Sequence, residues 1–125
     1  MMTPRAGREP QALVPLTPAV FHIMLALADG ERHGYGIMLE VEALGIIRLG
    51  PGTLYRSIQR MLVEGLIEEL KDHADPDSDD ERRRYYGLTD FGQRVAREEA
   101  RRLAVLMRAA RAKGLLGRRR QPGKR

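Results

Sequence analysis

The chain has 125 residues, of which 42% are hydrophobic and 31% charged, and its formal net charge is +5. That is enough apolar material for one compact domain but too short a chain for two, and it excludes a wholly disordered protein. The absence of cysteine rules out a disulfide framework, a zinc-thiolate site and a cysteine nucleophile together. The N-terminal residues do not have the pattern of a secretory leader. The longest apolar run, Ile23 to Ala28, is far short of the roughly 20 residues that cross a bilayer. A cytoplasmic chain without a membrane partner is expected. The excess positive charge is carried by Arg118, Arg119, Arg120, Lys124 and Arg125, so residues 1–117 are neutral overall. Any argument for nucleic acid therefore depends on local placement, not on bulk basicity.

In chain order, residues 1–14 contain little apolar material and are expected to form a loose arm. A first helix opens at Thr17-Pro18, an N-cap residue followed by Pro at the first helical position, and runs to about Ala28. It is apolar on nearly every side except at His22, which suggests that a second chain covers part of it. A second helix is expected from about Tyr35 to Leu44, followed by a short connector, Gly45 to Gly50. A third begins near Pro51-Gly52-Thr53 and ends at Glu64-Gly65, where Gly suits a left-handed cap. Leu54, Ile58, Met61 and Leu62 share one face of it, and Thr53, Arg56 and Arg60 point the other way.

Leu66 to Lys71 and Arg82 to Leu88 alternate in the manner of two strands of a hairpin. Between them lies a polar loop, Asp72 to Glu81, rich in acids and without Lys or Arg. A last helix runs from Thr89 to about Lys113, with Ala96, Ala100, Leu103, Met107 and Ala110 in a coiled-coil-like stripe. Residues 114–125 read as a basic tail.

Helix, helix, short turn, helix and hairpin is the order of a winged helix-turn-helix, in which the third helix enters the DNA major groove. The fold class expected is thus mainly α with a small β-hairpin. A winged helix-turn-helix over residues 15–88 is followed by a dimerisation helix over 89–113. Gly52, Thr53, Arg56, Gln59 and Arg60 on the third helix are candidates for phosphate or base contact. Thr53 could instead cap its helix. Tyr55 lies at the edge of the apolar face and could be half core or a DNA contact, and Tyr35 could pack or touch a phosphate. Arg82, Arg83 and Arg84 could pair with the acidic loop or reach phosphates, since exposed ion pairs contribute only about 0–1 kcal/mol. Phe21 and the stripe of the last helix are the candidate dimer contacts, because the first three helices already suffice for a core. Neither a metal cluster nor an acid–base constellation nor a phosphate loop is visible, and neither a cofactor nor an enzymatic activity is expected.

Five strings extend this reading: Leu16-Thr17-Pro18, His33-Gly34-Tyr35-Gly36-Ile37, Leu49-Gly50-Pro51-Gly52-Thr53-Leu54-Tyr55, Glu64-Gly65-Leu66-Ile67 and Arg83-Arg84-Tyr85-Tyr86-Gly87-Leu88-Thr89. In this order they closely resemble the PadR family of bacterial transcriptional regulators, over about residues 16–113. The resemblance implies a homodimeric repressor that binds a partly palindromic operator in double-stranded DNA and releases it when a small-molecule effector binds. The multidrug-binding branch of that family stacks flat drugs between Trp side chains; this chain has no Trp, which argues against such a pocket. The acidic hairpin tip argues against a deep contact of the wing with phosphates. The short loop before Leu49 bears on how the third helix approaches DNA. The rival reading is a winged-helix protein-interaction module without operator specificity.

Overall fold

The computed structural model of the chain describes residues 8–70 and 84–117. A 3-10 turn over Pro10–Leu13 precedes α1 (Pro18–Leu27), β1 (Arg32–His33), α2 (Gly34–Leu44) and α3 (Pro51–Val63). Then follow β2 (Ile67–Leu70), β3 (Tyr85–Leu88) and α4 (Asp90–Ala112).

The helix boundaries follow from local chemistry. The Thr17 hydroxyl accepts from the Val20 N–H at 3.2 Å and Pro18 occupies the first turn, which starts α1 as expected. His33 caps α2 by accepting the Gly36 N–H at Nδ1, 2.8 Å away, so α2 begins one residue before the predicted Tyr35. Gly45 ends α2 in the left-handed region (φ +75°), and Gly65 (φ +79°) does the same after α3. The Leu66 N–H then closes on the Met61 carbonyl at 2.9 Å. Thr89 caps α4 by accepting the Gly92 N–H at 2.9 Å, and its hydroxyl donates to the Gly65 carbonyl at 2.6 Å. One threonine thus starts α4 and ties it to the end of α3.

The sheet has three antiparallel strands in the order β1-β3-β2. In the predicted hairpin Ile67 lies opposite Leu88 and Leu70 opposite Tyr85. The third strand was not expected. Arg32 and His33 pair with Tyr86 and Tyr85, and two residues are too short to show any period. Arg32 holds this edge in place: its Nε donates to the Ala26 carbonyl at 2.7 Å, and its guanidinium also pairs with Asp29 and Glu40.

The core is continuous across α1, α2, α3, the sheet and the start of α4. Ile23, Met24, Ile37, Val41, Leu54, Ile58, Met61, Leu66, Ile67, Tyr86 and Val95 are all fully buried. Each buried aliphatic contributes about 1.5–3 kcal/mol against exposure. His22, the polar exception on α1, is buried too, and its Nδ1–H donates back to the Pro18 carbonyl at 2.7 Å. The same helix leaves Phe21 half-buried and Leu25 44% exposed, so one of its faces is open.

Two features change the domain picture. Within the segment expected as a loose arm, residues 10–13 form a 3-10 turn that packs against α4, and Leu13 and Val14 lie on the core. Helix α4 buries Gly92, Val95 and Glu99 and nothing beyond Glu99. Its first ten residues, to Glu99, pack on the winged helix, and the remainder is half-buried at most.

Candidate nucleic-acid interface

Helix α3 is strongly two-faced. Leu54, Ile58 and Met61 are fully buried, whereas Gly52, Thr53, Arg56, Gln59 and Arg60 are exposed. This is the partition that the 3.6-residue period requires. Thr53 does not cap the helix: the N-cap is Gly50, which has no side chain to bond, and no acid lies in the first turn. The start of α3 therefore presents backbone N–H groups without a side-chain partner, at the positive end of the helix dipole. Such an end accepts anions readily. Arg56 folds back along the helix toward it, donating to the Thr53 hydroxyl at 3.4 Å. Arg60 pairs with Glu64 at 3.5 Å, with its own side chain 69% exposed.

The structure separates the two tyrosines. Tyr35 is 48% exposed on the first turn of α2. Tyr55 is half-buried with its hydroxyl buried against Gly34, where a Cβ would come within 2.5 Å of the phenol oxygen. Gly34 is thus small because Tyr55 lies across it, and Tyr55 buttresses α2 against α3. Arg84 pairs with Glu69 on β2 at 3.6 Å, with roughly half of its side chain exposed. Arg82, Arg83 and the acidic tip lie outside the described residues. His33, next to Tyr35, is committed to its cap and packs edge-on against Tyr85, with ring centroids 5.3 Å apart.

Arg48 was overlooked in the sequence. It lies exposed in the α2–α3 connector, between half-buried Ile47 and buried Leu49, two residues before Gly50, the N-cap of α3. Among the described arginines of the winged helix, Arg32, Arg60 and Arg84 form ion pairs and Arg56 bonds to Thr53; Arg48 forms no such bond. No periodicity marks a connector residue, so only its placement singles it out.

The candidate dimer residues divide along α4. Ala96 is half-buried against the domain, Leu103 and Ala110 are half-buried, and Ala100 and Met107 are exposed. Leu106, not among the predicted contacts, is 48% exposed and shares a face with Leu103, Met107 and Ala110 at i, i+3, i+4 and i+7. The face that packs Val95 and Glu99 onto the domain therefore continues as an uncovered apolar strip. Of the acids on this helix, Glu98 pairs with Arg101 at 2.8 Å, and Glu99 is bonded to Arg102 through both oxygens. That guanidinium holds the buried Glu99 carboxyl below its ordinary range against the opposing effect of burial, and Glu99 raises Arg102 in turn. Among the described residues no group of His, Asp or Glu could hold a metal ion, and no helix is long and apolar enough to cross a membrane.

An exposed third helix followed by a hairpin that pairs with β1 into a three-stranded sheet defines a winged helix-turn-helix, here extended by a long C-terminal helix. The chain belongs to the transcriptional regulator PadR-like family, whose model matches residues 23–98, more than half of the sequence. This is a family of regulators, not of enzymes. A transcriptional regulator of Mycobacterium tuberculosis, Rv3488, is 33% identical over 87 residues, which make up 70% of this chain and 77% of that protein. An uncharacterised 37.1 kDa protein of a Streptomyces fradiae transposon is 34% identical over 84 residues; the match takes in 67% of this chain but only 22% of that relative's length. The fold is similar to a PadR family transcription regulator of Clostridium difficile, with a TM-score of 0.66 at 23% identity, covering 77% of this chain and 97% of that one. It is also similar to RosR of H. salinarum, with a TM-score of 0.58 at 22% identity, covering 83% and 99%.

Proposed function

We propose that the protein is a cytoplasmic homodimeric repressor that reads a palindromic operator in double-stranded DNA with α3. The observation that carries this reading is the exposed face of α3. An uncapped, acid-free helix start lies beside Thr53, Arg56 and Gln59, with Arg60 one turn further on and Arg48 just before it. Backbone N–H groups and Arg48 supply phosphate contacts, which set register, and Arg56 and Gln59 contact base edges. Tyr35 adds a phosphate contact from α2, and Arg82 to Arg84 add others from the wing. The ion pairs of Arg60 and Arg84 are exposed enough to exchange for phosphate at little cost.

Two copies join through the uncovered strip of α4 (Ala100, Leu103, Leu106, Met107 and Ala110), with Phe21 and Leu25 of α1 beside it. The two α3 helices then enter successive major grooves about 34 Å apart. A small-molecule effector releases DNA only by binding better to a dimer with the wrong helix spacing.

The test is selection of bound fragments from sheared genomic DNA at about 0.15 M salt, where non-specific binding is weak. Fragments sharing an inverted repeat support the reading. Fragments with no common sequence would instead support a protein-interaction module. Arg56→Ala should weaken binding to the selected operator by about 1–3 kcal/mol while the chain stays dimeric, as loss of a bidentate base contact requires. Unchanged affinity would show that α3 meets DNA by another face.

A further inference from the structure

Glu99 is a charged side chain at a position where the helix period calls for an apolar one. It lies on the face of α4 that carries Gly92 and Val95 into the domain, and it is 2% exposed. One carboxylate oxygen accepts the Leu16 N–H at 3.3 Å and Arg102 Nη2 at 2.9 Å; the other accepts Arg102 Nε at 2.8 Å. Leu16 directly precedes Thr17, the cap of α1. A single carboxylate therefore joins the start of the first helix of the winged domain to the helix that leads out of it. The partner guanidinium is about one-third exposed.

Stability alone does not call for this arrangement. Taking a carboxylate out of water is costly, and well-packed apolar residues commonly serve as well or better. The bidentate pair with Arg102, one turn along the same helix, fixes where the Glu99 carboxylate points. The directional bond from Leu16 to that held carboxylate then sets α4 against the start of α1, whereas apolar contacts tolerate sliding. Direction matters here because the uncovered strip of α4 begins within a turn of Glu99. From Glu99 to Ala112 the helix is a lever of about 20 Å at 1.5 Å per residue. A tilt of about 10° at its base moves its far end by roughly 3.5 Å, which is close to the 3.4 Å spacing of successive bases along one DNA strand.

We infer that Glu99 is a positioning residue for two-site DNA recognition: with its carboxylate held by Arg102 on the same helix, it accepts the Leu16 N–H and so fixes the angle of α4 on the winged helix, and with it the separation of the two α3 helices. The inference rests on the homodimeric reading above. It adds that the protein's tolerance for half-site spacing is set by a buried carboxylate on α4 and its bond to Leu16, not by a residue of α3.

The experiment measures affinity of the full chain for the selected operator, for the same operator with one or two base pairs inserted between its halves, and for a single half-site. Glu99→Gln and Arg102→Ala are compared with the native protein, and dimerisation is followed by sedimentation. Both variants should remain dimeric and bind a single half-site within about twofold of the native protein. They should lose about tenfold of its preference for the native spacing. Arg102→Lys, which keeps the charge but not the bidentate geometry, should fall between. The inference is overturned if the variants keep the native preference, or if half-site and full-site binding fall in equal proportion, as a general loss of fold would produce. Should Glu99→Gln fail to fold, Arg102→Ala decides alone, because Arg102 is on the exposed side of the pair. A native protein that does not favour paired half-sites removes both this inference and the dimer reading. A native protein that does, with variants that behave like it, removes only this one.

Discussion

Glycine 92 shows how much a single residue determines in this chain. A Cβ there would run into the Leu66 carbonyl, which is backbone and cannot swing aside. Gly92→Ala should therefore destabilise the fold by about 1–3 kcal/mol, the usual cost of overpacking, seen as a lower melting temperature. A melting temperature equal to the native one would show that α4 can shift off Leu66 freely. Glu99 makes a prediction in pH. Its carboxyl is held below the ordinary value of 4.5, first by the Arg102 hydrogen bonds, so the unfolded chain binds the proton more readily than the folded one. The stability this contributes is complete above that value and is lost as the pH falls through the lower, folded-state value. Melting followed from pH 7 to pH 3 should thus fall more steeply for the native chain than for Glu99→Gln. Parallel curves would remove Glu99 from the acid transition.

At the scale of elements, α3 and α4 are both two-faced, but their outer faces differ in kind. The outer face of α3 carries Thr53, Arg56, Gln59 and Arg60, and the open strip of α4 carries Leu103, Leu106, Met107 and Ala110. Polar exposure beside a helix start suits a polyanion, whereas an aliphatic strip suits another aliphatic surface. Met107→Asp should consequently yield a monomer in sedimentation with its far-UV circular dichroism intact, because no residue of α4 beyond Glu99 is buried in the single chain. A variant that stays dimeric would place the interface elsewhere. In the wing, β1 gives β3 a second partner and Arg32 bonds that edge to the end of α1, so the wing is fixed to the helices at its inner side.

For the molecule as a whole, charge is the property that sums over residues. The five cations of residues 118–125 account for the entire net charge of +5. If they lie near DNA in the complex they release counterions, and removing residues 117–125 should flatten the plot of log affinity against log salt. An unchanged slope would leave the tail free of DNA. Arg48→Ala should reduce the same slope by about one and weaken binding evenly across sequences, as a phosphate contact does. A loss confined to one sequence would make Arg48 a base contact instead.

The sequence by itself determined what short-range rules govern. Thr17-Pro18 starts α1, Gly65 ends α3, and the spacing of Leu54, Ile58 and Met61 selects the buried face of α3 and hence the outward Arg56. The alternation of the two hairpin strands, β2 and β3, is equally local. Each of these depends on neighbours within a turn or a hairpin, so the residues carry the information directly. Tertiary structure decided the rest. Two residues of β1 have no period of their own and exist because β3 offers them an edge. Thr53 does not cap α3, because the helix begins at Pro51 and Gly50 takes the cap position. Tyr55 turns its hydroxyl inward because Gly34, on another helix, leaves room for it. Glu99 resembles any surface glutamate in the sequence; it is buried because a turn ninety residues upstream packs over α4 and Leu16 presents its N–H there. Burial, and with it the meaning of a charge, depends on contacts between segments far apart in the chain, which no local pattern encodes.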